Sequence, residues 1–256
     1  ANIRTQYSFS INDEHNFSFM LGAQAENLWQ KQNGITAYGL VLDELPEIDL
    51  TTGLVWNKST NSWEKKDLTP YGNRNSWSTA GFFGRINYNY MGRYLVEFNL
   101  RYDGTSRYRG KLRWNLYPSV SAGWNIARES FWEPYEHIAS NLKLRASYGE
   151  LGNQNTNGWY PTYLTFSPSV NSGAWLQNGA LTTTIGVPTA ITTTLTWEKV
   201  RNWNVGFDFG FLNNRLTGSF DYYTRYTLDM MGSAPELPSI LGYTAPKTNN
   251  TDLKTR

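Results

Sequence analysis

The chain has 256 residues, 23 basic and 21 acidic side chains for a net charge of +2, no cysteine, and 16% aromatic residues, among them 11 Trp and 17 Tyr. The near balance of charge argues against a nucleic-acid binder or a polybasic membrane anchor, and the lack of cysteine excludes disulfides, thiolate metal sites and a Cys nucleophile. No run of about 18 apolar residues is present, so no transmembrane helix is encoded. Spanning strands are apolar only at every second residue and fit a low mean hydropathy.

About eight segments of alternating character follow one another, each near the length of a tilted spanning strand. Residues two apart share one face of a strand. Near Asn2–Ile11, Ile3, Thr5, Tyr7, Phe9 and Ile11 alternate with polar residues; over Asn16–Gln30, Phe17, Phe19, Leu21, Ala23, Ala25 and Trp29 share a face. Over Trp77–Tyr90, Ala80, Phe82, Ile86, Tyr88 and Tyr90 oppose Arg85, Asn87 and Asn89. The plainest segment is Arg93–Gly104, where Tyr94, Val96, Phe98, Leu100 and Tyr102 oppose Glu97, Asn99, Arg101 and Asp103, broken only by Leu95. Four more follow at Arg113–Ala127, Asn141–Gly149, Trp197–Phe211 and Arg215–Asp229, with Arg145, Asn204, Asp208 and Asp221 on their polar parities.

The connections carry a second pattern. Short links at Asn12–His15, Met91–Arg93 and Leu212–Asn214 alternate with longer ones at Lys31–Ser76, Thr105–Leu112 and Leu151–Leu195, and a tail follows from Met230. Between the fifth and sixth segments, Glu129–Ser140 reads as one short helix with Ser130 as a cap. Alternating link lengths are expected of an up-and-down membrane barrel, with short periplasmic turns and long outer loops, and are not expected of a soluble sandwich. Charge placement agrees. Mid-strand Arg85, Glu97, Arg145 and Asp221 take the polar parity, and the charges of apolar parity, Lys199 and Arg201, stand at an outer strand end. A cation on the lipid face costs about 2–4 kcal/mol at the midplane and about 0–1 kcal/mol near the interface.

Several motifs then resemble the SusC/RagA family of TonB-dependent outer-membrane transporters. They are Phe83-Gly84-Arg85-Ile86-Asn87-Tyr88-Asn89-Tyr90, Arg93-Tyr94-Leu95, Arg101-Tyr102-Asp103-Gly104-Thr105-Ser106-Arg107-Tyr108 and Arg113-Trp114-Asn115-Leu116-Tyr117-Pro118 through Trp124. Leu142 to Gly149 with Gly152-Asn153, Thr196-Trp197-Glu198, Asn204-Val205-Gly206-Phe207-Asp208 and Asp221-Tyr222-Tyr223 continue the match in the same order. The first 75 or so residues share only the strand pattern.

The resemblance implies an all-β fold: about eight antiparallel strands of a transmembrane barrel of about 22 strands with a plugged lumen. It further implies that residues 1–256 are part of one barrel domain in the bacterial outer membrane, and that the plug, the TonB-contacting segment and the signal peptide lie outside this sequence. The first residues lie inside a strand pattern and Leu253–Arg256 reads as a polar loop just before a further strand, so a piece of a larger protein is expected. The partners implied are the remainder of the barrel and its plug, a SusD-like surface lipoprotein, TonB, membrane lipid and an oligosaccharide or peptide cargo; nucleic acid and cofactors are not among them.

Enzymatic signals are poor. The two histidines, His15 and His137, are far apart and read as structural or solvated, and no His-Glu-x-x-His motif, P-loop or nucleophile elbow is present. Asp43, Glu44, Glu47 and Asp49 lack the spacing of a calcium loop and read as a solvated connection, so no metal site is expected. Arg85, Asn87, Glu97, Asn99, Arg101, Asp103, Arg145, Asn204, Asp208 and Asp221 are the candidates to face the lumen. The bland expectations are that Arg101 and Asp103 pair across neighbouring strands beside a turn at Gly104, and that the other charges bond a plug or the opposite wall.

Leu151–Thr196 lacks charge and carries Trp159, Tyr160, Tyr163 and Trp175, suited to a lid protein or, more weakly, a glycan. A loop packed on itself would use the same composition. Two other classes stay open: a soluble extracellular β-protein that binds carbohydrate through its aromatics, and a barrel-embedded enzyme, disfavoured by the missing acid, base and nucleophile.

Overall fold

The computed structural model describes residues 1–154, 158–166, 168–169, 175–186, 188, 190–233, 238, 240 and 245–256. Nine strands form one antiparallel sheet whose spatial order follows the chain: β1 (Asn2–Ile11), β2 (His15–Thr36), β3 (Thr69–Tyr90), β4 (Tyr94–Thr105), β5 (Trp114–Asn125), β6 (Ala139–Asn153), β7 (Glu198–Phe211), β8 (Leu216–Gly232) and β9 (Thr248–Thr255). This is the meander expected of an up-and-down wall. The eight alternating segments are all strands. Thr248–Thr255, which reads as part of a polar tail and loop, is a ninth strand paired with β8, through Tyr226↔Lys254 among other positions.

Contacts divide the chain into two compact units, residues 1–26 with 78–256, and residues 27–77. The second holds residues 27–36 of β2 and 69–77 of β3, each strand being 22 residues long, so the connection between them shortens to 37–68 from the expected Lys31–Ser76. That connection contains a hairpin, Leu54–Asn57 against Ser62–Lys65, in which Trp56 lies opposite Trp63 with ring centroids 5.4 Å apart. Asp43, Glu44 and Glu47 are exposed, and among the described residues no group of acidic or histidine side chains converges as a metal site would need.

The tight turns owe their shape to backbone that enters the left-handed region, as short hairpin links of three and four residues demand. Asn12 and Asp13 (φ 52° and 56°) join β1 to β2, Met91 and Gly92 (φ 49° and 69°) join β3 to β4, and Leu212, Asn213 and Asn214 (φ 54°, 56° and 61°) join β7 to β8. The segment after β5 forms two short 3₁₀ turns, Ile126–Arg128 and Ser130–Tyr135, in place of the expected helix. Pro134 lies inside the second turn and has no N–H to give, and the N-cap position is held by Glu129, not by Ser130, with no side-chain capping bond.

Register carries the alternation of one strand into the next. Tyr88, Val96, Ala122, Ala146, Val205 and Tyr222 form one transverse row, each opposite the next across β3 to β8. Ile86, Phe98, Val120, Tyr148 and Trp203 form the adjoining row on the same face. These side chains are left in the open, with Val205 at 60% and Tyr222 at 58% of full exposure. The buried cluster is small: Tyr108, Tyr117, Leu195 and Trp197, with Met231 packed against it. A broad apolar face outside the core of a sheet this long needs an apolar medium to cover it.

Candidate functional site

The face opposite the aromatic rows gathers the polar candidates. A transverse row there runs Asn87, Glu97, Ser121, Ser147 and Asn204 across β3 to β7. With Lys143 and Arg145 these residues line a shallow depression of about 490 Å³. This face of the sheet thus presents polar side chains over five adjacent strands.

Seven charged side chains of this face, Arg85, Glu97, Arg101, Asp103, Arg145, Asp208 and Asp221, are bonded to neighbours on the same face. Arg85 donates through Nε to Asn99 Oδ1 at 2.6 Å, Asn99 Nδ2 donates to Glu97 Oε1 at 2.7 Å, and Glu97 Oε2 stands 3.8 Å from Arg85 Nε. Arg101 grips Asp103 with two bonds of 3.0 Å each, from Nε to Oδ2 and from Nη2 to Oδ1. This corrects the expected cross-strand pairing, because residues two apart on one strand share a face and the guanidinium fork reaches both carboxylate oxygens. Nor does a turn begin at Gly104: β4 runs on to Thr105, and a Cβ on Gly104 would lie 2.6 Å from the Trp114 ring.

Arg145 on β6 donates through Nη2 to Asp208 on β7 (2.9 Å) and to Asp221 on β8 (3.1 Å). Both partners lie on neighbouring strands of its own sheet. Gly206 lies between Arg145 and Asp221 in the register, and a Cβ there would collide with the Asp221 carboxylate. Glycine thus clears the path by which one guanidinium spans two strands.

The loop candidates separate. Tyr160 and Tyr163 line one cleft of about 480 Å³ together with Ile191, Leu195, Met231 and Lys247. Tyr163 donates to Ser106 O at 3.4 Å and lies under the Arg109 guanidinium, 4.6 Å from ring centre, while the fully buried Thr162 donates to Arg107 O at 2.8 Å. Part of this segment is therefore packed on the β4–β5 connection. Trp159 is half-buried, and Trp175 is 66% exposed beside the small hairpin Leu176–Gln177/Ala180–Leu181. Neither lines that cleft. Residues 155–157, 167, 170–174, 187 and 189 of the segment lie outside the described residues.

Three features have no counterpart in the sequence expectations. Tyr108, from the β4–β5 connection, meets Trp197 edge-on at 5.9 Å, as does Tyr117, and Trp197 donates its indole N–H to Arg113 O at 3.0 Å. Burial pushes the Tyr108 phenol up to about 12. At the other end of the sheet, Glu129 accepts the Trp124 indole N–H at 3.0 Å and lies 3.7 Å from Arg93, and these donors, Trp124 first and then the Tyr94 hydroxyl, hold its carboxyl below the usual range. Arg201, of apolar parity, meets Glu150 at 2.7 Å, and Glu150 also accepts from Tyr148 at 2.6 Å. The charges on the aromatic face thus include a carboxylate that a strand ending at Gly149 would leave out. His15, read as solvated or structural, is bonded to the Tyr88 hydroxyl at 2.9 Å.

A family model described as the β-barrel of TonB dependent receptor-like proteins matches residues 1–254. The chain belongs to this family. It is 37% identical to the TonB-dependent receptor SusC of Bacteroides thetaiotaomicron over 185 residues, which is 72% of the chain and 18% of that relative. It is 30% identical to a TonB-dependent receptor of Formosa agariphila over 244 residues, 94% of the chain and 22% of the relative. Among solved structures, the RagAB peptide importer in its open-open state superposes with a TM-score of 0.78 at 25% identity, covering 99% of the chain and 26% of that one. The chain thus spans about a fifth of the length of the curated relatives it matches. The match reaches into the first 75 residues, where sequence motifs were silent. Members of the family are transport receptors and not enzymes.

Proposed function

We propose that residues 1–256 are part of the transmembrane barrel domain of a TonB-dependent importer that carries oligosaccharides or peptides across the bacterial outer membrane. A SusD-like lipoprotein covers its outer mouth, and residues outside this segment supply the plug and the link to TonB. The observation that carries the reading is the register itself: one face of the sheet carries transverse aromatic and aliphatic rows across β3 to β8, and the other is a polar, hydrogen-bonded one. Such a sheet fits a wall with lipid on one side and water on the other. Arg85, Asn87, Glu97, Asn99, Arg101, Asp103, Arg145, Asn204, Asp208 and Asp221 then face the lumen, and the aromatic rows face lipid.

The resemblance to SusC favours this assignment to nutrient import, and the likeness to a peptide importer keeps peptides beside glycans as cargo. Trp159, Tyr160, Tyr163 and Trp175 belong to the long connection that the proposal places against the lid.

The test of the wall is extraction. The intact protein should require detergent and should migrate faster on a denaturing gel when unheated than when boiled; a stable monomer in plain buffer would refute the barrel. The test of the loop is Trp159→Ala with Trp175→Ala, followed by uptake and by co-purification of the lid. Unchanged uptake and unchanged lid recovery would remove both roles from these residues.

A further inference from the structure

On a lipid-facing surface a cation is tolerated only at headgroup height. The aromatic face of β7 to β9 carries three cations in neighbouring rows. Arg201 lies opposite Tyr226, and Tyr226 lies opposite Lys254, whose Nζ stands 4.9 Å from the Tyr226 ring centre. Lys199, two residues from Arg201 on the same parity, lies opposite Leu228. The next row inward is aromatic, Trp203 against Tyr148 with ring centroids 4.4 Å apart. Trp and Tyr of this kind mark the membrane–water boundary, so the three cations stand one step outside it.

The carboxylates of this face are already engaged. Glu150 takes Arg201 Nε and the Tyr148 hydroxyl, and Asp252 accepts the Asp229 backbone N–H at 3.0 Å. Among the described residues no carboxylate forms an ion pair with Lys199 or Lys254, and Arg201 meets Glu150 through Nε. The backbones of β7 and β9 lie two strand spacings apart, about 10 Å, within the combined reach of an arginine and a lysine side chain.

We infer that Lys199, Arg201 and Lys254 form a binding site for the phosphate-bearing headgroup of an anionic lipid in the outer leaflet, seated above the Trp203–Tyr148 ring pair. The inference rests on the barrel reading above. Charge complementarity selects the ligand: Lys199, Arg201 and Lys254 outnumber the engaged carboxylates Glu150 and Asp252, and a phosphate oxygen is the acceptor that a headgroup layer supplies.

The experiment uses the intact protein in detergent, with bound lipids counted by native mass spectrometry. Phosphatidic acid is the probe and diacylglycerol the phosphate-free control. Lys199→Gln with Lys254→Gln, which keeps the Arg201–Glu150 pair, should weaken phosphatidic acid binding about tenfold, whereas Lys111→Gln, on an exposed turn, should leave it unchanged. Equal binding by wild type and the double variant would overturn the site, and inorganic phosphate bound as tightly as phosphatidic acid would overturn the lipid assignment. Heat-dependent gel mobility reports the barrel separately. If that shift persists in the double variant while binding is unaffected, only the phosphate site fails; if wild type shows no shift, the barrel reading fails.

Discussion

Arg145 reaches the neighbouring strand to meet Asp208, Nη2 to Oδ1 at 2.9 Å, and the same nitrogen goes on to Asp221 one strand further. One guanidinium thereby ties three strands together on the polar face. All three side chains are about one-third exposed, so water and salt weaken each contact. A double-mutant cycle between Arg145→Met and Asp208→Asn should give a coupling of about 1 kcal/mol or less, measured by urea unfolding from lipid vesicles. Arg145→Met alone should destabilise more than Asp221→Asn alone, because it leaves two neighbouring carboxylates without their cation.

Parity predicts a sharper contrast. Phe98→Arg places a cation in the middle of the aromatic face and should destabilise the folded protein in vesicles by about 2–4 kcal/mol. Ser121→Arg, on the polar face of the adjoining strand opposite Glu97, should change it by far less. Equal effects would mean that the two faces meet the same medium.

Close packing predicts that Gly104 resists substitution. The Trp114 ring occupies the space a Cβ would need, so Gly104→Val should lower stability by about 1–3 kcal/mol. Pairing it with Trp114→Ala should recover part of that loss in the same unfolding assay.

Glu129 predicts a pH dependence. The folded protein holds its carboxyl below the ordinary value, through the Trp124 indole and the Tyr94 hydroxyl. The sign follows from linkage: a depressed acid contributes stability in full above its unfolded pKa of about 4.3, and that contribution is lost as pH falls through the lower folded value. Thermal midpoints measured down the acid range should therefore fall less steeply in Glu129→Gln than in wild type. Parallel slopes would show that the carboxylate contributes nothing.

The strands that were legible in the sequence are those whose apolar and polar residues strictly alternate, with Tyr94 to Tyr102 the plainest. Thr248–Thr255 was not legible, since Thr-Asn-Asn-Thr-Asp-Leu-Lys-Thr has one apolar residue and its strand character comes from pairing with β8. The tight turns were legible from their length and from Asn and Gly. Glu129–Ser140 looks like a helix in the sequence because Phe131, Trp132, Tyr135 and Ile138 have helical spacing, but Pro134 lies inside it and the segment folds as a 3₁₀ turn at Ser130–Tyr135. At the candidate site, the parities of the polar residues were readable but their partners were not. Arg101 bonds within its strand, Arg145 across two strands, and Arg201 to Glu150, and each choice depends on register and side-chain reach that the linear order does not contain.

The glycine at position 206 gives the wall a mechanical property. The Asp221 carboxylate fills the space a Cβ would take there and accepts Arg145 from two strands away, so the guanidinium of that row is held by carboxylates of its own sheet. Within the proposed importer, a passing cargo would then meet a surface on which these charges already answer one another. Such a surface gives an acidic or basic cargo no deep place to stall, and it allows neutral and charged molecules to travel along the same wall.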